Sequence, residues 1–488
     1  MHISHQNNFV GLLFRRIVST SGLINAATGL VLRGHEVSRS IVGFAVGFLS
    51  AGLRPGDRLL VSCAQSPAST LAYLGAMYAG IVPVPIEERL LATSGDALVA
   101  KARARAVWTD QASNSYLIKR REVSHIEGKF PACSPDLLPP FACAETDLAA
   151  LMPTSGSTAV PRLVMVTHGN LTSNTEAIVR SQRLGPGETA MLVMPISYCF
   201  GASVMHTHLY QGGRVVFDSR FMFADKVLHA INQYNCTTLA GVPFVYNTLL
   251  RNSNLRSISL PGLRRFLLAG GALGPEAVQE VHRTVPTADF FVMYGQTEAT
   301  ARISCLAADR LSDKLGSAGL PLDNLEVRIA DAGGRVVKQG QVGEIQLRGP
   351  SVCAGYFDDP EATKQKFGEG WLKTGDLACC DQDGYLWIKG RAEEFVKVRG
   401  RRVSLAEVES TVGSISGIAE CAAIGLNHAE LGETLGLLIV AEDSEDVLTQ
   451  RIRRALPPTW TAAALKFVSE IPKTGSGKIA RGQLAALL

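Results

Sequence analysis

At ~150 residues per domain, the 488 residues correspond to about three compact units, with ample chain for buried cores. Apolar residues at 46% and charged residues at 19% exclude a mostly disordered chain, a collagen-like repeat and a coiled coil. Basic residues outnumber acidic ones by only 48 to 44, a balance that advertises neither nucleic acid nor an anionic membrane as a partner, so any phosphate binding must be local.

The opening, Met1 to Arg16, places a short apolar stretch before Arg15-Arg16, the reverse of a signal peptide's charge order, and reads as mature sequence. The apolar runs Ser40 to Leu53 and Leu71 to Ile86 fall short of the ~20 residues of a membrane span, so no span is expected. The 10 cysteines show no CxxC spacing, and the chain is large enough to need no disulfide framework. They point to a reducing compartment, taken as the cytoplasm, and away from a zinc site.

From about Glu36 the pattern alternates helix and strand. Ser38 to Ala51 carries apolar residues at helical spacing and stops at Gly52; Arg58 to Cys63 reads as a strand; Pro67 to Ala79 is a helix closed by Gly80; Ile81 to Ile86 is extended. Further strands are expected at Ala190 to Met194, Arg214 to Phe217, Thr238 to Gly241, Phe266 to Ala269 and Phe290 to Met293. Helices such as Ala224 to Tyr234 and Pro275 to Thr284 separate them. This predicts a mainly parallel sheet, whose ligands belong beyond the carboxyl ends of its strands, after Ala269 and after Met293. Short strands with Gly and Asp turns follow between Leu311 and Lys389, and strands at Cys421 to Gly425 and Gly436 to Ala441 with a helix at Val447 to Leu456 complete the chain. The expected fold is therefore α/β. A large N-terminal domain, 1–390, holds mainly parallel wound sheets with a β-rich subdomain at 311–389, and a small α+β domain occupies 391–488.

Two segments carry chemistry. Pro153-Thr154-Ser155-Gly156-Ser157-Thr158-Ala159-Val160-Pro161-Arg162 follows an apolar run and precedes the strand-like Leu163 to Val166. Its small residues let backbone N–H groups approach an anion and its hydroxyls add donors, as a polyphosphate loop requires, although it is no Walker loop and a flexible Ser/Gly turn has the same composition. Met293-Tyr294-Gly295-Gln296-Thr297-Glu298 leaves the end of a buried-looking strand with an aromatic ring, a hydroxyl and a carboxylate together. Tyr could stack on a base, Thr contact phosphate and Glu hold Mg²⁺; alternatively, the Tyr packs over the strand and Glu298 begins a helix.

With Lys373-Thr374-Gly375-Asp376, then Gly390-Arg391 through Lys397-Val398-Arg399-Gly400-Arg401-Arg402-Val403, and finally Pro472-Lys473-Thr474-Gly475-Ser476-Gly477-Lys478, these blocks make five in one order. In them the sequence resembles the AMP-forming adenylation superfamily of acyl-CoA synthetases, peptide-synthetase adenylation domains and luciferases, over nearly the whole chain. The resemblance implies that Thr154, Ser155, Gly156, Ser157 and Thr158 cradle the β- and γ-phosphates of ATP. Gly270, Gly271, Ala272, Tyr294 and Gly295 line the adenine and acyl pockets, Thr297 contacts the α-phosphate and Glu298 ligates Mg²⁺. Asp376 accepts the ribose hydroxyls, helped by Arg391, and Lys478 is the mobile catalytic lysine. Taken singly, Asp376 would read as a turn cap and Lys478 as a solvated loop cation.

The departures from that family are informative. Ala159 stands where glycine is usual, Arg162 where lysine is, and Val292 where Asn or Gln often meets the adenine amino group. Glu393 stands at the hinge, in place of the usual Asp or Lys. Amino-acid-activating relatives place an Asp for the substrate ammonium where this chain has Gly201, so an acid without an α-ammonium group is expected. Tyr198 stands where many acyl-CoA synthetases carry His. The other acyl-pocket candidates, Val242, Phe244, Gly270, Met293 and Gln296, are mostly apolar. Lys397, Arg399, Arg401 and Gly400 lie where the family passes a pantetheine arm, suiting the phosphates of CoA or an acidic carrier protein. The expected activity is MgATP-dependent formation of an acyl-adenylate with release of pyrophosphate, then transfer to CoA or to carrier-protein phosphopantetheine. The competing readings are a stand-alone amino-acid adenylation enzyme loading a peptidyl carrier, a luciferase-like oxidation, and a nucleotide-binding scaffold without turnover.

Overall fold

The computed structural model describes residues 4–110, 123–154, 160–391, 394–398, 401–428, 432–441, 444–457, 460, 462–473 and 479–488. The chain forms two compact units, the first of residues 1–315, 319–326 and 347–372, the second of 316–318, 327–346 and 373–488.

A nine-stranded sheet organises the first unit, in the order Leu320–Pro321, Ser304–Leu306, Asp289–Tyr294, Arg265–Leu268, Thr238–Gly241, Thr189–Leu192, Arg214–Phe217, Gly22–Asn25, Leu30–Arg33. The strands from Asp289–Tyr294 through Gly22–Asn25 are mutually parallel, with Arg265 opposite Asp289 and Thr238 opposite Arg265. Their apolar runs are buried, as a sheet covered on both faces demands. A second, all-parallel sheet runs Val82–Glu87, Arg58–Cys63, Ala106–Thr109, Ser124–Glu127.

Length alone suggested about three units, yet the two wound sheets share one. The reason is the helix Pro67–Tyr78, all of whose residues are buried; it packs on the helix Gly34–Ser50 and touches strands of both sheets. A helix apolar on every side belongs inside, and this one joins the two cores. Strands Arg58–Cys63, Arg214–Phe217 and Thr238–Gly241 and helix Pro275–Thr284 have the bounds the sequence predicted. The strand Gly22–Asn25, unforeseen, is four residues whose place is fixed by pairing with Arg214–Phe217, nearly two hundred positions away.

In the second unit, a sheet runs Glu326–Ala330, Gly343–Arg348, Leu372–Cys380, Leu386–Arg391. Another runs Arg401–Ser404, Phe395–Val398, Gly432–Ala441, Ile418–His428, with Ala462–Phe467 added in parallel to Gly432–Ala441. Helices Leu405–Gly413 and Glu445–Ala455 cover this sheet through Val408, Val412, Leu448 and Ile452, which meet Leu435, Leu437 and Ile439 in one core. Among the described residues no helix is long and apolar enough to cross a membrane.

Candidate active site

Because the central strands of the first unit are parallel neighbours, their carboxyl ends lie side by side and deliver their loops to one edge. Thr189–Leu192 leads to Tyr198 and Gly201, Thr238–Gly241 to Val242 and Phe244, Arg265–Leu268 to Gly270, Gly271 and Ala272, and Asp289–Tyr294 to Gly295 through Glu298. A methyl group placed on Gly270 would stand 3.0 Å from Val242, and one on Gly271 would stand 3.2 Å from the Pro243 ring, so these loops are neighbours in space. Met293 is buried at the strand end, where the Gln182 amide donates to its sulfur at 3.1 Å.

The Tyr294–Glu298 turn folds back tightly. Ile303 N–H donates to the Tyr294 carbonyl at 2.8 Å, and a Cβ at Gly295 would lie 1.8 Å from the Ala301 carbonyl oxygen, so no side chain fits there. Thr297 and Glu298 enter a three-residue 3₁₀ turn, not the helix start that a lone glutamate suggested. The Thr297 hydroxyl donates to Cys199 Sγ at 3.5 Å, while Cys353 Sγ donates to the Thr297 carbonyl at 3.4 Å. Glu298 accepts a hydrogen bond from the Tyr356 hydroxyl at 2.6 Å. Burial, then the Glu298 charge, pushes the Tyr356 phenol well above its usual range, so it stays a donor. Arg162 lies 5.4 Å from the centroid of the Tyr356 ring and 3.5 Å from Asp359, linking the end of the Ser/Thr loop to the residue that holds Glu298.

That loop joins an antiparallel pair, Leu148–Pro153 and Leu163–Thr167, and its base is closed by the Thr154 N–H donating to the Arg162 carbonyl at 2.9 Å. Ser155, Gly156, Ser157, Thr158 and Ala159 lie outside the described residues. Tyr198 donates its hydroxyl to Glu87 at 2.8 Å, and burial followed by the Glu87 charge raises the phenol well above its usual range. Gly201 is in the first turn of helix Cys199–Tyr210, where a Cβ would meet the Pro195 carbonyl oxygen at 2.3 Å. An aspartate there would need the backbone to move.

In the second unit Asp376 lies within the strand Leu372–Cys380, not in a turn, and alternation puts it on the buried side with Thr374 and Ala378. Its carboxylate meets the Arg391 guanidinium at 3.3 Å, from the directly opposite position of the neighbouring strand. Lys397 and Arg401 are described through their backbone, in a pair of antiparallel strands where Val398 faces Arg401. Glu393, Arg399, Gly400 and Lys478 lie outside the described residues; the segment with Lys478 falls between the bridged Lys473 and Ile479.

Tyr356, Cys199, Glu87 and Arg302 were not foreseen from the sequence. Tyr356 carries no local signal, since only folding brings it to Glu298. Arg302 carried one: a charged residue in the short Ala299-Thr300-Ala301-Arg302-Ile303 return to the buried strand Ser304–Leu306.

Known proteins share this fold. The model of the family described as "AMP-binding enzyme" matches residues 33–357, and that of the "AMP-binding enzyme C-terminal domain" matches residues 407–478. Feruloyl-CoA synthase of Amycolatopsis sp is 33% identical over 466 residues, 93% of this chain and 94% of that protein. 4-Coumarate--CoA ligase-like 6 of Oryza sativa subsp. japonica is 28% identical over 95% of this chain and 83% of its own. The crystal structure of ATP-bound MatB from Rhodopseudomonas palustris matches with a TM-score of 0.89 at 25% identity, over 99% of this chain and 98% of that one. The chain belongs to the AMP-binding enzymes, the AMP-forming adenylation superfamily. Within that class it is an AMP-forming ligase of the acyl-CoA synthetase type.

Proposed function

We propose that this enzyme activates a carboxylic acid lacking an α-ammonium group as its acyl-adenylate, releases pyrophosphate, and passes the acyl group to CoA. The observation that carries this reading is the row of parallel strand ends bearing Tyr294, Thr297 and Glu298 beside Gly270 and Val242. The crowded backbone at Gly201 supports the absence of a carboxylate for a substrate ammonium. The relatives named as CoA synthase and ligase support CoA as the acceptor over a carrier protein.

In this reading Thr154 and the Ser/Thr loop hold the outer phosphates, Thr297 contacts the α-phosphate, Tyr294 stacks on the base, and Asp376 takes the ribose hydroxyls with Arg391 beside it. Glu298 suits Mg²⁺ arriving with ATP: it is a hard oxygen donor oriented by Tyr356, and one or two carboxylates plus substrate phosphates are the ligands this cation takes. The metal would neutralise phosphate charge as the carboxylate attacks the α-phosphorus and the bond to pyrophosphate breaks. Lys478 stabilises the charge that develops in adenylation, and the segment of Lys397, Arg399, Gly400 and Arg401 serves the thiol step, with Glu393 as the hinge between the two uses. A cytoplasmic setting would supply both ATP and CoA.

The test is acid-dependent exchange of labelled pyrophosphate into ATP over a panel of acids, followed by transfer to CoA or to a holo carrier protein. Exchange with acids lacking the α-amino group and acyl-CoA as product are expected. A clear preference for an α-amino acid over its deamino analogue would overturn the substrate reading, and loading of the carrier with no acyl-CoA would overturn the acceptor.

A further inference from the structure

Arg302 is 1% exposed, the one charged residue among the largest fully buried side chains described. Among the other described residues buried charge is matched: Arg265 pairs with Glu188, Arg481 with Glu409, and Asp218 with Arg220. Arg302 is the exception. Its Nε–H is buried without a hydrogen-bond partner among the described residues, and the titratable groups acting on it most are the thiols of Cys305 and Cys199, not a carboxylate. Burial lowers its pKa to about 10, so the group remains a cation at neutral pH. The guanidinium lies 4.9 Å from the centroid of the Phe200 ring, which returns part of the lost hydration but leaves the Nε–H unmet.

The backbone is shaped to hold this side chain. Asn174 clasps Arg302 on both sides, its amide donating to the carbonyl at 3.0 Å and its oxygen accepting from the N–H at 3.3 Å. Just before it, Thr300 takes φ 67 and ψ -53, a strained γ-turn for a β-branched residue, closed by Ala301 N–H to the Ala299 carbonyl at 2.8 Å. The Thr300 hydroxyl pins this turn to the Ser351 carbonyl at 2.7 Å. On the same return a second buried donor, Nε2 of Gln296, lacks a partner among the described residues. Arg302 therefore stands among pocket candidates, its ring partner next to Gly201 in the chain and its Cα within 2.9 Å of where a Cβ on Gly295 would lie.

We propose that Arg302 determines specificity: the acid activated here carries a second anionic group, a carboxylate being the simplest, and that group pairs with the Arg302 guanidinium inside the acyl pocket. This rests on the ligase reading above and adds one buried cation to the otherwise mostly apolar pocket candidates. A planar fork of N–H donors meets a carboxylate bidentately, and a site whose buried donors need an acceptor rejects the analogue that lacks it.

The test compares aliphatic and aryl dicarboxylic acids of several lengths with their monomethyl esters in pyrophosphate exchange. At least one diacid is expected to exceed its ester by about 100-fold or more in kcat/KM. Arg302→Met, which keeps the bulk and removes the charge, should abolish that preference while the KM for ATP stays within about twofold, and Arg302→Lys should restore part of it. Comparable exchange by the wild type with every diacid and its ester would overturn the proposal and leave the ligase standing. So would an undiminished preference in a folded Arg302→Met. Exchange with no acid at all would remove the ligase reading and this proposal together. Should Arg302→Met not fold, the wild-type panel decides alone.

Discussion

The two units place candidate functional groups in opposite ways. In the parallel sheet of the first unit the strands are buried on both faces, as in Thr238–Gly241 and Arg265–Leu268, so chemistry is confined to the loops beyond their ends. In the second unit Asp376 sits inside a nine-residue strand whose burial alternates, and one side of that strand offers a carboxylate directly. Strand-end loops carry backbone N–H groups and tight turns suited to phosphate and metal; a mid-strand side chain is aimed by the pleat and suits a fixed acceptor.

Variants in each unit sharpen that contrast. The largest effect is expected from Lys478→Ala in the second unit, which should cut pyrophosphate exchange by about 1000-fold. It should spare thiol transfer from a supplied acyl-adenylate; equal loss in both half-reactions would show that the lysine is not specific to adenylation. Glu298→Gln, at a strand end, should lower the adenylation rate by about 100-fold while ATP affinity changes by a few-fold at most. Rate and affinity falling together would make the glutamate merely structural. Asp376→Asn should act as lost uniform binding, raising the KM for ATP about 10-fold with little change in kcat, and a kcat effect alone would count against it. Tyr356→Phe removes only the hydrogen bond that orients Glu298. A loss of about 10-fold or less in kcat is expected, with a higher Mg²⁺ requirement and an unchanged melting temperature. An effect on stability alone would mean that Tyr356 packs without positioning.

The last contrast concerns stability, with turnover at neutral pH unaffected. The first unit buries His168, His206 and His208, and desolvation lowers their pKa values to about 4, about 3 and about 4. These imidazoles are neutral in the fold, whereas unfolded histidine takes a proton below its ordinary value of ~6.5. Stability from this source is complete above pH ~6.5 and lost as pH falls toward 4, at up to about 1.4 kcal/mol per pH unit for each histidine. The melting temperature should drop across that window in the wild type. The drop should shrink in His208→Gln, because one proton fewer is taken up on unfolding; a flat profile would contradict the burial.

Much of this was legible in the sequence because its signals are local. Arg58–Cys63 and Thr238–Gly241 are short apolar runs between turn residues, and Pro275–Thr284 begins at proline with helical spacing behind it. The motif around Tyr294 to Glu298 declared its position because a strand end followed by hydroxyl and carboxylate is written in consecutive residues. Gly22–Asn25 was illegible for the opposite reason: four residues with no alternation become a strand only when Arg214–Phe217 lies alongside. Glu298 and Tyr356 stand 58 positions apart. No pattern in either segment foretells that bond.

The sequence by itself determined the wound α/β plan, the family and the order of its candidate nucleotide-binding segments, since periodicity and motifs act over a few residues and survive without a partner. Tertiary structure alone decided that Gly201 faces a carbonyl and that Tyr356 orients Glu298. It also decided that Arg302 is a buried cation without a described carboxylate to meet it. Burial and pairing are relations between distant segments, and a charge acquires its cost, and so its meaning, only when folding takes water away from it.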